Sequence, residues 1–400
     1  DDDKKIRQFV SELFTISLFS MIITYLILFG LYVFVPRIHS DIALIGILSI
    51  NILATVFGRD WINSIYENFT YITIRHFLFQ LSALFLIFLM IKDSDDYIKY
   101  AIIMLIAYSG GFIVNLFYLQ KEIPLRIRFK LHLKKHCKSI FLRFCSALGI
   151  TIYVKSDIFI IGLLSSNEET GIYTLASKIY IVIKSVLNAI ILVVIPRAAN
   201  LLGKNMFAEY QGLLFGLRKI LYTLLFPSII GLFCLSKSII LLLGGNEFYS
   251  GHSALKILSI ALFCAVFNCF YAQCILVVNR KEKIFFIATV ISSMVNIVLN
   301  IMIIPEFGAS GAAFTTLLAE IVVLLICKGS ADKYIDLKKD EDLKSVSLGS
   351  IAVFLVCVFV NSFVEEDLFK VILSVILSSI IYVIILFLTK NSVLKNSMHK

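Results

Sequence analysis

The apolar positions of this chain do not alternate and do not form narrow stripes; they fall into twelve long runs separated by short charged stretches. The runs cover 11–35, 42–58, 72–91, 97–119, 139–164, 172–196, 213–236, 254–278, 284–304, 310–327, 347–364 and 368–389. A helix needs about 20 apolar residues to cross a bilayer core. Strands of a membrane barrel would instead alternate over about ten residues. The pattern therefore predicts an all-α polytopic membrane protein with twelve transmembrane helices. The second and tenth runs are short and predict little tilt or local thinning of the bilayer.

Composition agrees: 59% of the 400 residues are hydrophobic and 16% charged, against about 45–50% and about 25% in a soluble domain. This excludes a disordered chain and an ordinary soluble enzyme. Charge then sets the orientation. With the loops taken alternately from the N-terminus, one set carries 26 Lys and Arg and the other 3. Basic loops stay in the cytoplasm, so both termini are expected there. The net charge of +10 is mostly this topology signal and implies no nucleic-acid partner. The most basic loop, 121–138, is expected to be a cytoplasmic linker. Its His132, His136 and Cys137 are too few for a metal site. The eight cysteines show no CxxC spacing and predict no disulfide framework. No phosphate-binding loop, dinucleotide glycine pattern or HExxH occurs, so transport would run on a gradient. The opening Asp-Asp-Asp-Lys-Lys is no signal peptide; it reads as a charged loop before a helix in a chain lacking its true N-terminus.

Charges inside the apolar runs are costly, about 2.5–3.5 kcal/mol at mid-bilayer on insertion scales, and so point to function. The fifth run carries Arg143, Lys155 and Asp157. At about 100° per residue, Arg143 and Asp157 lie within about 40° of each other, whereas Lys155 points away. Arg143 could equally snorkel to the surface. In the sixth run Tyr173, Ser177, Tyr180, Lys184 and Asn188 share one face about 60° wide, with Lys178 off it. A lysine in such a stripe favours a wet cavity over simple helix packing. The ninth run repeats the stripe with Thr289, Ser292, Asn296 and Asn300, for which interhelical hydrogen bonds serve equally well. Glu320 is a further intramembrane charge. Arg75, about one turn inside its run, is expected to snorkel. The sum is a cationic cavity suited to an anionic substrate, with Asp157 and Glu320 as candidate coupling or ion-pairing acids.

Several segments resemble a known family. Tyr153-Val-Lys-Ser-Asp-Ile-Phe-Ile-Ile-Gly-Leu-Leu precedes Gly171-Ile-Tyr-Thr-Leu-Ala-Ser-Lys-Ile179, and the run closes with Val-Ile-Pro196-Arg197. Asp60-Trp61 with Glu67, Gly245-Asn-Glu-Phe-Tyr and Pro305-Glu-Phe-Gly-Ala-Ser-Gly-Ala-Ala follow in order. Over about residues 1–330 this is similar to the Wzx-type polysaccharide flippases, of the superfamily that includes the MATE multidrug exporters and the peptidoglycan-lipid flippases. Tyr66 departs from the family's frequent Gly. The family usually has fourteen helices, so two are expected to be missing here.

The resemblance implies a two-lobe bundle. Residues 1–120 would be an incomplete N-terminal lobe of four helices, 121–138 the linker, 139–330 a C-terminal lobe of six helices and 346–400 an extra helix pair. It also implies flipping of undecaprenyl-diphosphate-linked oligosaccharides across the bacterial cytoplasmic membrane, for O-antigen or capsule, by alternating access around a cationic central cavity. Arg143, Lys155 and Lys184 would hold the diphosphate or acidic sugars, with Tyr173, Tyr180 and Asn188 beside them. Arg75, Lys178, Arg197, Asn296 and Asn300 are secondary candidates. No cofactor is implied; a proton or sodium gradient is the candidate driving force. Polysaccharide polymerase and chain-length proteins are candidate partners. Two other readings stay open: a small-molecule or multidrug antiporter of the same fold, and a membrane-bound polymerase or glycosyltransferase.

Overall fold

A computed structural model describes residues 2–35, 39, 41–65, 68–122, 144, 151, 155–335 and 342–393. The described residues are helical almost throughout and include no strand. Ten of their helices are long and apolar enough to cross a membrane, and the fold is that of an all-α multi-pass membrane protein. Two features separate this number from twelve. The runs 284–304 and 310–327 are two helical arms that meet at a kink at Gly308 and are counted together here as one, α10. The run 139–164 is described mainly from residue 155 onward. The linker beyond residue 122 and the candidate ligands His132, His136 and Cys137 lie outside the described residues.

Large apolar side chains lie on the outside as well as in the core, and some polar ones are buried, as a lipid solvent allows. Phe88, Val193 and Phe363 are 80%, 79% and 74% exposed, while Ser236, Ser259, Ser292, Asn300 and Thr315 are fully buried. Lipid solvates the apolar side chains, and the polar ones turn inward to find partners.

The chain divides into two compact units, 1–142 and 143–400. The first contains α1 (Asp2–Phe34), α2 (Ile42–Gly58), the short α3 (Asp60–Ile65), α4 (Phe69–Met90) and α5 (Tyr97–Glu122). α5 packs on both α2 and α4. Asn115 of α5 donates to the Gly58 carbonyl at 2.6 Å and accepts from Asn63 of α3 at 2.8 Å. That pair of buried side chains ties the turn after α2 to a neighbouring helix.

The second unit contains α6 (155–164), α7 (Asn167–Gly203), α8 (Phe207–Gly244), α9 (Gly251–Cys269), α10 (Glu282–Ala331), α11 (Leu343–Phe363) and α12 (Asp367–Leu388). α9 is its axis, packed by α7, α8 and α10. Ala254, Leu255, Leu258, Ala261 and Leu262 are all fully buried, as expected of a helix apolar on every face. α9 continues into a π-helical stretch, Phe270–Val277, where the Tyr210 hydroxyl donates to the Cys274 carbonyl at 2.8 Å. α10 is broken at Gly308, whose φ of 51° and ψ of −131° belong to a region essentially restricted to glycine. α11 and α12 pack together on α8 around Leu235, Val353, Cys357 and Tyr382. Lys219 of α8 clamps Asp342, just before α11, at 2.6 Å.

Candidate functional site

The second unit encloses a cavity of about 180 Å³ walled by α6, α7, α9 and α10. Two helical rows build its polar side. On α7, Tyr173, Tyr180 and Lys184 recur at i, i+7 and i+11, which is one face. On the far arm of α10, Thr316 and Glu320 recur at i and i+4. The rows meet and enclose two acids.

The first acid is Asp157 of α6, only 8% exposed. Tyr173 donates to its Oδ2 at 2.8 Å, Thr316 to the same oxygen at 2.7 Å, and Asn300 to Oδ1 at 2.6 Å. Asn296 takes a bond from Asn300 at 3.1 Å and one from Ser156 at 3.2 Å, and Thr315 donates to Asn300 Oδ1. The second acid is Glu320, 5% exposed. Lys184 Nζ donates to its Oε1 at 2.8 Å, Tyr180 to the same oxygen at 3.4 Å, and Asn268 of α9 to Oε2 at 2.6 Å. Buried carboxylates need such compensation, and here it comes from three helices, α7, α9 and α10.

Lys155 and Lys178 also line the cavity, and neither has an acidic partner among the described residues. Three lysines and two carboxylates line the cavity, so its formal charge is positive by one.

The structure brings together Lys155, Asp157, Tyr173, Lys178, Tyr180, Lys184, Asn296 and Glu320 around this cavity. Asn300 sits behind the wall, bonded to Asp157. Lys178, a secondary candidate off the Tyr173–Lys184 stripe, lines the cavity as well. The cavity is bounded by α6 as well as α10, so α7 presents more than one stripe to it. Asn188 does not line it; its buried Oδ1 has no hydrogen-bond partner among the described residues. Arg197 is exposed and outside the wall. Arg143 lies outside the described residues.

Arg75 does not snorkel. In the first unit it is 5% exposed, paired with Asp60, and its guanidinium lies 5.0 Å from the Tyr71 ring centroid. His76 reaches the other oxygen of Asp60 at 3.0 Å. With its partner Asp60 in place, removing either charge alone would leave the other uncompensated.

Sequence reasoning missed Thr316, Asn268 and Asp60. Thr316 had a signal, since it lies one turn before Glu320 on the same face. Nothing in the sequence sets Asn268 apart from Ser259 and Gln273 in the same run, and Asp60 is on a different helix from Arg75, so neither had one.

Three comparisons with known proteins bear on this fold and site. A family model described as polysaccharide biosynthesis protein matches residues 1–202. The chain is similar to the probable low-salt glycan biosynthesis flippase Agl15 of Haloferax volcanii, 23% identical over 193 residues. That stretch is 48% of this chain and 41% of the relative, so the chain matches about two fifths of that protein's length. Among solved structures it resembles the lipid II flippase MurJ in an inward closed conformation, with a TM-score of 0.74 and 18% identity. The likeness covers 98% of this chain and 85% of that one.

Proposed function

This chain belongs to the polysaccharide biosynthesis protein family, and from that membership we propose that it flips undecaprenyl-diphosphate-linked oligosaccharides across the membrane. The observation that carries this reading is the cationic lining of the cavity in the second unit. Lys155, Lys178 and the Glu320-paired Lys184 line a cavity among apolar helices, and lysines without an acidic partner are expensive inside a membrane. Their cost is offset when an anion enters. A diphosphate or an acidic sugar is such an anion, and charge-assisted hydrogen bonds to it are about twice as strong as neutral ones. A carrier of cationic drugs would need the opposite sign. The similarity to Agl15 and the MurJ-like fold also support a lipid-linked glycan as cargo.

On this reading the chain works as a secondary transporter by alternating access, in a bacterial cytoplasmic membrane with both termini inside, and serves O-antigen or capsule assembly. Arg143, Lys155, Lys178 and Lys184 hold the anion. Asp157 or Glu320 couples movement to a proton or sodium gradient. Polymerase and chain-length proteins would receive the product.

The test is flipping of a fluorescent undecaprenyl-diphosphate oligosaccharide in proteoliposomes. The Lys155→Ala/Lys178→Ala double variant is expected to flip at least about tenfold more slowly, one tenfold step being about 1.4 kcal/mol of lost interaction. Wild-type rates from a well-folded double variant would rule out these lysines as the anion site.

A further inference from the structure

α9 does not end as it begins. From Phe270 to Val277 its turns widen into a π-helix, a rare form that holds surplus chain inside a helix and is frequent at functional sites. We propose that this wide turn is the joint on which the second unit changes shape, with the Tyr210 hydroxyl as its catch.

Asn268 and Asn279 show what the wide turn does. They lie eleven residues apart, and eleven steps of about 100° come within about 20° of three full turns. In an unbroken α-helix they would share a face. Instead Asn268 donates to Glu320 of α10 at 2.6 Å, and Asn279 donates to the Tyr210 hydroxyl of α8 at 3.3 Å. α8 and α10 both pack on α9 but scarcely on each other. Each residue held in surplus turns the rest of the helix by about 100°, and that carries Asn279 from the α10 side to the α8 side.

Side chains hold the surplus in place. Tyr210, 2% exposed in the first turn of α8, donates to the Cys274 carbonyl at 2.8 Å. Asn279 donates to the Ile275 carbonyl at 2.8 Å as well as to Tyr210. Phe270, Ala272, Cys274 and Leu276 are fully buried, and a buried carbonyl without a donor costs free energy. Releasing the catch therefore drives the turn back towards α-helix. The surplus then passes into the loop at Asn279–Lys281, where Arg280 already holds a φ of 57°.

Two walls of the cavity hang on this joint. α10 begins at Glu282, directly after it, and carries Asn296 and Glu320. α8 begins at Phe207, one short turn after α7 with its Lys178 and Lys184. Narrowing turns Asn279 away from Tyr210 and shifts the start of α10 against the α7–α8 turn. Asn268 lies on the other side of the joint and keeps both of its bonds to Glu320. One end of α9 stays fixed while the opposite end moves, as a hinge requires.

The experiment is hydrogen exchange, read by mass spectrometry on the full chain in detergent, with two variants. In wild type the amides of 270–279 are expected to exchange faster than those of Ala254–Leu262, a fully buried part of the same helix. Tyr210→Phe keeps the ring and removes the catch. It is expected to speed exchange over 270–279 about tenfold, the scale of one buried carbonyl losing its donor, and to leave 254–262 unchanged. Deletion of Gln273, half-buried among buried neighbours, takes out surplus chain and leaves Asn279 on the α8 side. That variant is expected to slow exchange over the stretch and to flip the fluorescent lipid at least about tenfold more slowly. Unchanged exchange in Tyr210→Phe, an equal rise along all of α9, or wild-type flipping by a well-folded deletion variant overturns the joint. If the deletion variant does not fold by thermal melting, exchange in Tyr210→Phe decides. If neither variant folds, the wild-type comparison decides, and equal protection of 254–262 and 270–279 overturns the joint. A wild type that does not flip this lipid counts against the cargo alone, because the exchange results need no substrate.

Discussion

Arg75 sits in α4 with its guanidinium against Asp60 and across the face of Tyr71. Removing it leaves a carboxylate that is 20% exposed with only His76 nearby. Breaking a buried ion pair from one side costs about 3–5 kcal/mol, because the remaining charge is uncompensated. The partial exposure of Asp60 puts Arg75→Leu at the low end, about 3 kcal/mol. Arg75→Leu/Asp60→Asn removes both charges and is expected to lose clearly less than the single variant. Thermal unfolding in detergent measures both, and a single variant that melts with the wild type would return Arg75 to the snorkelling role. The case shows what a sequence reveals at this scale. The row Tyr173, Tyr180, Lys184 was legible because helical spacing puts its members on one face. The partners Asp60, Asn268 and Thr316 depend on which helices become neighbours, and an apolar run does not say which face meets which.

The break in α10 is the clearest constraint on an element. Gly308 has a backbone conformation open essentially to glycine alone, and a Cβ there would run into the Glu169 carboxylate of α7. That carboxylate accepts from the backbone N–H of Ala309 at 2.7 Å, one of the amides that the break leaves without an intrahelical acceptor. Glu169 itself is held by the start of α7, where the Ser166 hydroxyl accepts from its N–H at 3.1 Å. Gly308→Ala therefore carries both backbone strain and a clash, and is expected to cost about 1–3 kcal/mol. Gly308→Ala/Glu169→Ala relieves the clash but keeps the strain and loses the amide's acceptor, so it should recover only part of the melting temperature. Full recovery would mean that the clash alone matters and that φ does not. The sequence reads Pro305 to Ala313 as a turn between two spans. The structure agrees: two helical arms meet at the kink at Gly308 and lie side by side, with Ser292 donating to the Ala319 carbonyl and Thr315 to Asn300 across them. The central place of α9 was not legible at all. A helix buried in protein and a helix facing lipid are both apolar all round, and composition does not separate them.

For the whole molecule, charge decides what apolar length does not. α7 and α8 have 37 and 38 residues, and at about 1.5 Å per residue they outrun an apolar core of about 30 Å. Their excess length has to emerge on one side or the other. The turn between them carries Lys204, with Arg197 before it and Arg218 and Lys219 after it, the last two packed over the Phe215 ring at 5.2 and 4.7 Å. The opposite end of α8 leads into Gly245–Tyr249, whose charged residue is Glu247. The positive-inside rule then places Lys204 in the cytoplasm and Glu247 outside, in step with the contrast of 26 to 3 basic residues over the alternating loops. A membrane-impermeant maleimide tests this on whole cells. Wild type provides the background, since seven of the eight native cysteines lie in apolar runs and Cys137 lies in a loop assigned to the cytoplasm. Glu247→Cys is expected to label in intact cells and Lys204→Cys only after permeabilisation. Labelling of both in intact cells would mean that α8 does not cross, and the reverse pattern would invert every loop. In the expected orientation, the Glu169–Gly308 contact lies at the outer end of the second unit. Arg197, two turns before Lys204 on α7, then lies at the cytoplasmic end.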